Sequence, residues 1–218
     1  MLTLIYSKLI LQSQVITFNF SYKYRFPTEI EVSQSENLQL STCAKILGVL
    51  ISNDLKWSKN TDHITSKARK RIWTLRKLSK MGFDNDFILD VYFKEIRSIL
   101  EYCAPVWSGG ILKKDSLKIE NIQKSVLRIL LKGQYSSYTQ SCENFNIEKL
   151  HDRRQKLCER FGLKELSKPN GLFKICPKRS LRNSNCNNIT IPKSRTTRHF
   201  KSSIPYISRL VNKNLARK

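Results

Sequence analysis

"CAKILGVLISNDLKWSKNTDHITSKARKRIWTLRKLSKMG", residues 43–82, contains a change of period that sets the fold class. Ile46, Leu47, Val49, Leu50 and Ile51 sit almost side by side around Gly48. That run predicts a short strand buried on both faces and interrupted by the glycine. The polar Ser52-Asn53-Asp54 reads as a turn or helix entry, and Trp57 as a core anchor behind it. From Thr61 the apolar positions fall at helical spacing instead: Ile64, Ala68, Ile72, Leu75 and Leu78 keep to one side. Lys67, Arg69, Lys70, Arg71, Arg76, Lys77 and Lys80 fill the remaining faces, and Gly82 ends the helix.

Working outward, residues 15–57 read as β: "VITFNFSYKYRF", "EIEV" and "CAKILGVLI" predict a small antiparallel sheet. Downstream, Asp84 or Asn85 caps a second helix whose stripe is Ile88, Val91, Tyr92, Glu95, Ile99 and Tyr102, closing at Pro105. Tyr102 and Trp107 are expected to cover one end of the helical bundle. Asp115 caps a third helix with Leu117, Ile119, Ile122, Val126, Ile129 and Leu130 facing in. A fourth helix runs through Ile147, Leu150, Leu157 and Phe161. The expected class is α+β, with a β element over 1–58, a three-helix bundle over 59–135, a connecting helix over 136–168 and a basic, largely flexible tail over 169–218.

Forty Lys and Arg stand against seventeen Asp and Glu, a net charge of +23. Such an excess is typical of chains that sit on polyanions, so nucleic acid is the expected partner. The charge is uneven: the charges of residues 1–40 cancel, whereas residues 167–218 carry thirteen cations and no acid. The face over 67–80 contains no carboxylate between Asp62 and Asp84, whereas an ordinary solvated face mixes signs. No apolar run approaches the roughly 18 residues that span a bilayer, and Lys8, Gln12 and Gln14 interrupt the mildly apolar N-terminus. Cys43, Cys103, Cys142, Cys158, Cys176 and Cys186 are spread over expected core elements and read as reduced thiols. An intracellular protein, in nucleus or cytoplasm, not secreted and not membrane-bound, is expected.

The order of these pieces resembles a known family. "KILGVLISNDLKWSKNTDHITSKARKRIWTLRKL", "YFKEIRSILEYCAPVWSGG", "IENIQKSVLRILLKG", "IEKLHDRRQKLC" and "RTTRHFKSSIPYISRLVN" look like the C-terminal portion of a non-LTR (LINE-type, jockey-like) retrotransposon reverse transcriptase. The likeness spans roughly residues 28–212. It implies that Ile46, Leu47 and Gly48 correspond to the primer grip at the end of the polymerase palm. It also implies that the basic helices beyond them are a thumb closing on template-primer duplex. The residues suit those roles: glycine lets a backbone approach a sugar-phosphate closely, and a helix with seven outward cations can follow phosphates without reading bases. Arg153 and Arg154 either extend this surface or pair with Glu148 and Asp152 at helical spacing.

Polymerisation needs two divalent metals held by carboxylates, and reverse transcriptases supply two of these from an aromatic-Ala-Asp-Asp turn. This sequence has no adjacent Asp pair; Asp84-Asn85-Asp86 sits where helix capping is the natural role. Too few residues precede position 28 for fingers and catalytic palm. The chain alone is therefore expected to be no enzyme and to need no cofactor, Mg2+ belonging only to an intact parent polymerase. Neither Cys176, Cys186 and His199 nor Cys142, His151 and Cys158 has zinc-finger spacing. His151 reads as a helix-surface residue. Two other readings stand beside a duplex-gripping fragment: an independent small basic RNA- or DNA-binding protein, and the inactive product of a decayed transposon copy.

Overall fold

A computed structural model describes residues 29–33, 36–39, 41–175 and 188–216. The class is α+β, with antiparallel strand pairs followed by helices. The chain divides into two compact units, Met1–Asn60 and Thr61–Lys218. The expected strand over 15–26 lies outside the described residues, as do Cys176 and Cys186.

In the first unit, β1 (Glu29–Ser33) pairs antiparallel with β2 (Glu36–Gln39), with an irregularity between Glu31 and Ser33. The apolar run that follows is not one strand. Leu47 and Gly48 have φ of 46° and 86°, and positive φ at both central residues is the signature of the type I′ turn, whose twist suits a tight hairpin. The chain folds back there, pairing β3 (Cys43–Ile46) with β4 (Val49–Ser52) in the register Cys43 with Ser52 and Ile46 with Val49. Ala44 and Val49 are buried, but Ile46 is 51% and Leu47 86% exposed. The strand buried on both faces is thus corrected to a hairpin with an exposed apolar tip. The expected polar turn is held by Ser52 Oγ, 2.6 Å from Asp54 Oδ1, and by the Leu55 N–H donating to Ser52 O. Asn60 Oδ1 accepts from the Leu50 N–H at 3.1 Å, tying the first turn of the next helix to β4.

That helix, α1 (Ser58–Lys80), buries Ile64, Ala68, Ile72 and Leu75 on the expected side. The chain then enters α2 (Asn85–Val91), passes without a break through a π-helical stretch (Tyr92–Arg97), and finishes as α3 (Ser98–Glu101). The π stretch displaces the inward stripe. Ile88, Tyr92, Ile96, Leu100 and Ala104 are fully buried at uniform spacings of four. On an α-helix of 3.6 residues per turn such a row drifts around the axis, and the wider i→i+5 turn cancels that drift. Glu95, Ile99 and Tyr102, expected inside on α spacing, are instead exposed or partly exposed. Cys103, at φ 51°, turns the chain into α4 (Ala104–Trp107), where Trp107 is buried and donates from Nε1 to the Tyr102 carbonyl at 2.9 Å.

Next come α5 (Lys113–Leu131), α6 (Tyr138–Asn144) and α7 (Leu150–Leu166). Asp115 lies inside the first turn of α5, not at its cap, and pairs with Lys118 at 3.0 Å. Ile119, Ile122, Val126, Leu127 and Leu130 form its buried stripe, while Leu117 is exposed. A buried polar chain links the π stretch to α5: Tyr92 Oη donates to Gln123 Oε1 at 2.8 Å, and Gln123 Nε2 donates to the Glu148 carbonyl at 3.0 Å.

Beyond α7 the expectation of a flexible tail is corrected for the described residues 188–216. Residues 188–216 form α8 (Thr197–Lys201) and α9 (Ser203–Leu215), and α9 packs against α7. Ile207 and Val211 on α9 join Cys158, Phe173 and Ile189 in a second apolar cluster flanked by Phe161, Tyr206 and Leu210. Removing two aliphatic side chains from water offsets the tail's self-repulsion by roughly 1.5–3 kcal/mol each. The contact depends on Gly162, where an added Cβ would lie 2.6 Å from Ile207 Cγ2 and Val211 Cγ2. Gly162→Ala is accordingly expected to push α9 outward and destabilise the unit by about 1–3 kcal/mol. Urea unfolding measures that loss, and an unchanged midpoint would show that the interface absorbs the methyl group.

Candidate nucleic-acid interface

The sequence-predicted residues form two groups, and a third pair separates from both. Ile46, Leu47 and Gly48 come together at the tip of the β3–β4 hairpin, all exposed. Lys67, Arg69, Lys70, Arg71, Arg76, Lys77 and Lys80 are all exposed on α1. Arg71 is the one neutralised by a carboxylate, forming an ion pair with Glu95. Among the described residues, Lys67, Arg69, Lys70, Arg76, Lys77 and Lys80 pair with no carboxylate. At about 100° per residue, Lys70, Lys77 and Lys80 point away from the buried stripe, Arg69 and Arg76 stand on one flank of it, and Lys67 and Arg71 on the other.

An unpaired cation row on a rigid helix is suited to a polyanion. Its charges repel one another when the surface is empty and are relieved when phosphates approach. One residue of this face was not singled out from the sequence. Trp73 is 58% exposed, and Lys77 Nζ lies 4.1 Å from its ring centroid. The signal was present in its position, three or four residues from Arg69, Lys70, Arg76 and Lys77 and off the apolar stripe.

Arg153 and Arg154 do not extend this surface, and neither pairs with Glu148 or Asp152. Arg153 reaches across to Glu101 of α3 with both arms of its guanidinium, Nη2 to Oε2 at 3.0 Å, and this partner holds its proton more firmly. Glu148 binds Lys156 instead. Arg154 is 1% exposed: its Nη2 donates to Ser116 Oγ at 2.8 Å and stands 3.8 Å from Glu120 Oε1. Burial lowers its proton affinity, with Glu120 opposing that effect. A guanidinium enclosed in this way cannot meet a phosphate, so Arg154 is corrected from a binding to an interior residue.

Cys43, Cys103, Cys142 and Cys158 are free thiols, and burial pushes that of Cys158 up to about 12, far from a reactive thiolate. Among the described residues, no three His, Cys, Asp or Glu side chains are grouped to hold a metal ion, and no helix is long and apolar enough to cross a membrane. His151 is exposed, and its backbone N–H donates to Glu120 Oε1 at 2.6 Å. Comparison with family models, curated proteins and solved structures finds no match for the chain.

Proposed function

We propose that this chain is the nucleic-acid-gripping C-terminal portion of a non-LTR retrotransposon reverse transcriptase. It holds template-primer duplex without extending it, and it acts inside the cell. The observation that carries this reading is the outward face of α1, where cations stand without carboxylate partners. The ordered likeness of five segments to that family supports a thumb role, and the Leu47-Gly48 turn supports the grip. Its two positive φ values expose a tight backbone loop at a hairpin tip, the kind of surface that approaches a sugar-phosphate closely. Catalysis and Mg2+ binding belong, in this reading, to carboxylates of the parent polymerase.

The test is a titration of the purified chain with an RNA–DNA hybrid carrying a recessed 3′ end and with a blunt hybrid of equal length, at two salt concentrations. The expected result is tighter binding to the recessed end by about fivefold, near 1 kcal/mol. Equal affinities would overturn the thumb role and leave an independent basic binder.

A further inference from the structure

Trp73 has the size and shape of a core residue and none of its surroundings. The inward side of α1 is occupied by Ile64, Ala68, Ile72 and Leu75, all buried, whereas Trp73 projects on the opposite side and remains 58% exposed. Arg69 and Lys70 lie one turn before it, Arg76 and Lys77 one turn after, and Lys80 two turns after. Lys77 rests its ammonium against the ring, an arrangement that orients the indole by cation–π attraction. An apolar protein surface laid over this indole would also have to desolvate its cationic neighbours, which is unfavourable unless they are paired. A polyanion supplies the charges that match them.

We propose that Trp73 is a stacking platform for an unpaired nucleobase where the duplex gives way to a single-stranded overhang, so that α1 lays duplex phosphates on its cations and the first unpaired base of the overhang on the indole. The inference rests on the nucleic-acid reading of this face and specifies what it holds. A base inside a duplex has both faces occupied by its neighbours, while an unpaired base presents a free face of matching size. Of the seven cations, Lys67 and Arg71 lie on the flank away from the indole, Arg71 neutralised by Glu95, and the five others surround the ring.

The experiment compares two oligonucleotides of equal length and charge, one carrying bases and one abasic, bound to wild type, Trp73→Ala and Trp73→Phe. The exposure of Trp73 makes both variants compatible with folding. Wild type is expected to prefer the base-bearing strand by roughly tenfold or more. Trp73→Ala should lose that preference, Trp73→Phe should keep part of it, and quenching of tryptophan emission by the base-bearing strand should vanish in Trp73→Phe. Equal binding of both oligonucleotides by wild type overturns the stacking site and leaves the electrostatic reading intact. No salt-sensitive binding of either strand overturns the stacking site, while the hybrid titration above decides the electrostatic reading on its own. Self-association of the chain that Trp73→Ala abolishes, without any preference for bases, assigns the indole to a protein contact and likewise overturns the proposal.

Discussion

Replacing Arg69, Lys70, Arg76 and Lys80 together by alanine is expected to remove most of the salt dependence of duplex binding. Each phosphate neutralised by a cation releases condensed counterions, so the logarithm of affinity falls with that of salt concentration at about 0.9 per contact on duplex. If the six cations without carboxylate partners all engage, the slope is about −5, and affinity drops roughly a thousandfold between 50 and 200 mM salt. With four removed the slope is near −2 and the same change of salt costs only about tenfold. The four side chains are exposed, and alanine is a better helix former than either lysine or arginine. The folded state should therefore survive, as circular dichroism would verify. Arg71→Ala is the matched control, because Glu95 already neutralises that charge and its loss should leave the slope nearly unchanged. Titration by fluorescence anisotropy across four salt concentrations measures both. A quadruple variant that retains the wild-type slope would place the phosphates elsewhere on the molecule.

The parts of this fold that were legible in the sequence are those where a single periodicity operates. In α1 the apolar set and the cationic set each follow 3.6-residue spacing, and the structure buries Ile64, Ala68, Ile72 and Leu75 as that spacing requires. The hairpin was hidden because Leu47 carries no mark of a turn residue. Asn or Asp before Gly48 would have signalled a type I′ turn, whereas leucine at positive φ reads as a continuing strand. The π stretch was hidden for a different reason. A one-residue change of register leaves the composition of Tyr92–Arg97 unaltered, so α spacing assigned Glu95 and Ile99 to the interior in place of Ile96 and Leu100. In α9 the long-range packing of Ile207 and Val211 was masked by an average taken over a strongly basic segment.

For the candidate site, exposure of the basic residues followed from the helical pattern, but their pairing did not. Arg71 and Arg153 find carboxylates 24 and 52 positions away in the chain, Glu95 and Glu101, which no local spacing rule connects. Trp73 was overlooked because aromatic residues in amphipathic helices usually belong to the core. Only its position relative to the apolar stripe distinguishes it, and the structure resolves that ambiguity by showing which side of α1 is covered.

Glu120→Ala is expected to be the most destabilising single substitution, by about 3–5 kcal/mol. The carboxylate lies at a junction. Tyr138 Oη donates to Oε2, the His151 backbone N–H donates to Oε1 at 2.6 Å, and the Arg154 guanidinium stands 3.8 Å away. Truncation strips acceptors from two donors and leaves a fully buried cation without its counter-charge, so α6 and α7 lose their common partner on α5. Arg154→Met should behave differently, although it breaks the same pair. Arg154 makes one hydrogen bond, to Ser116, while its Nε and Nη1 are buried without acceptors. Methionine removes those unmet donors and fills similar volume with an adaptable apolar chain, and Glu120 keeps two donors. The cost should stay below that of Glu120→Ala, because the carboxylate left behind keeps its two donors, whereas removing both charges together is the change that a buried ion pair tolerates best. Urea midpoints at fixed pH separate the two variants, with Glu120→Gln/Arg154→Met expected to recover most of the loss seen in Glu120→Ala. Arg154→Met destabilising the protein as much as Glu120→Ala would instead make the guanidinium the anchor of the junction, and the unmet donors would then have to be solvated within the fold.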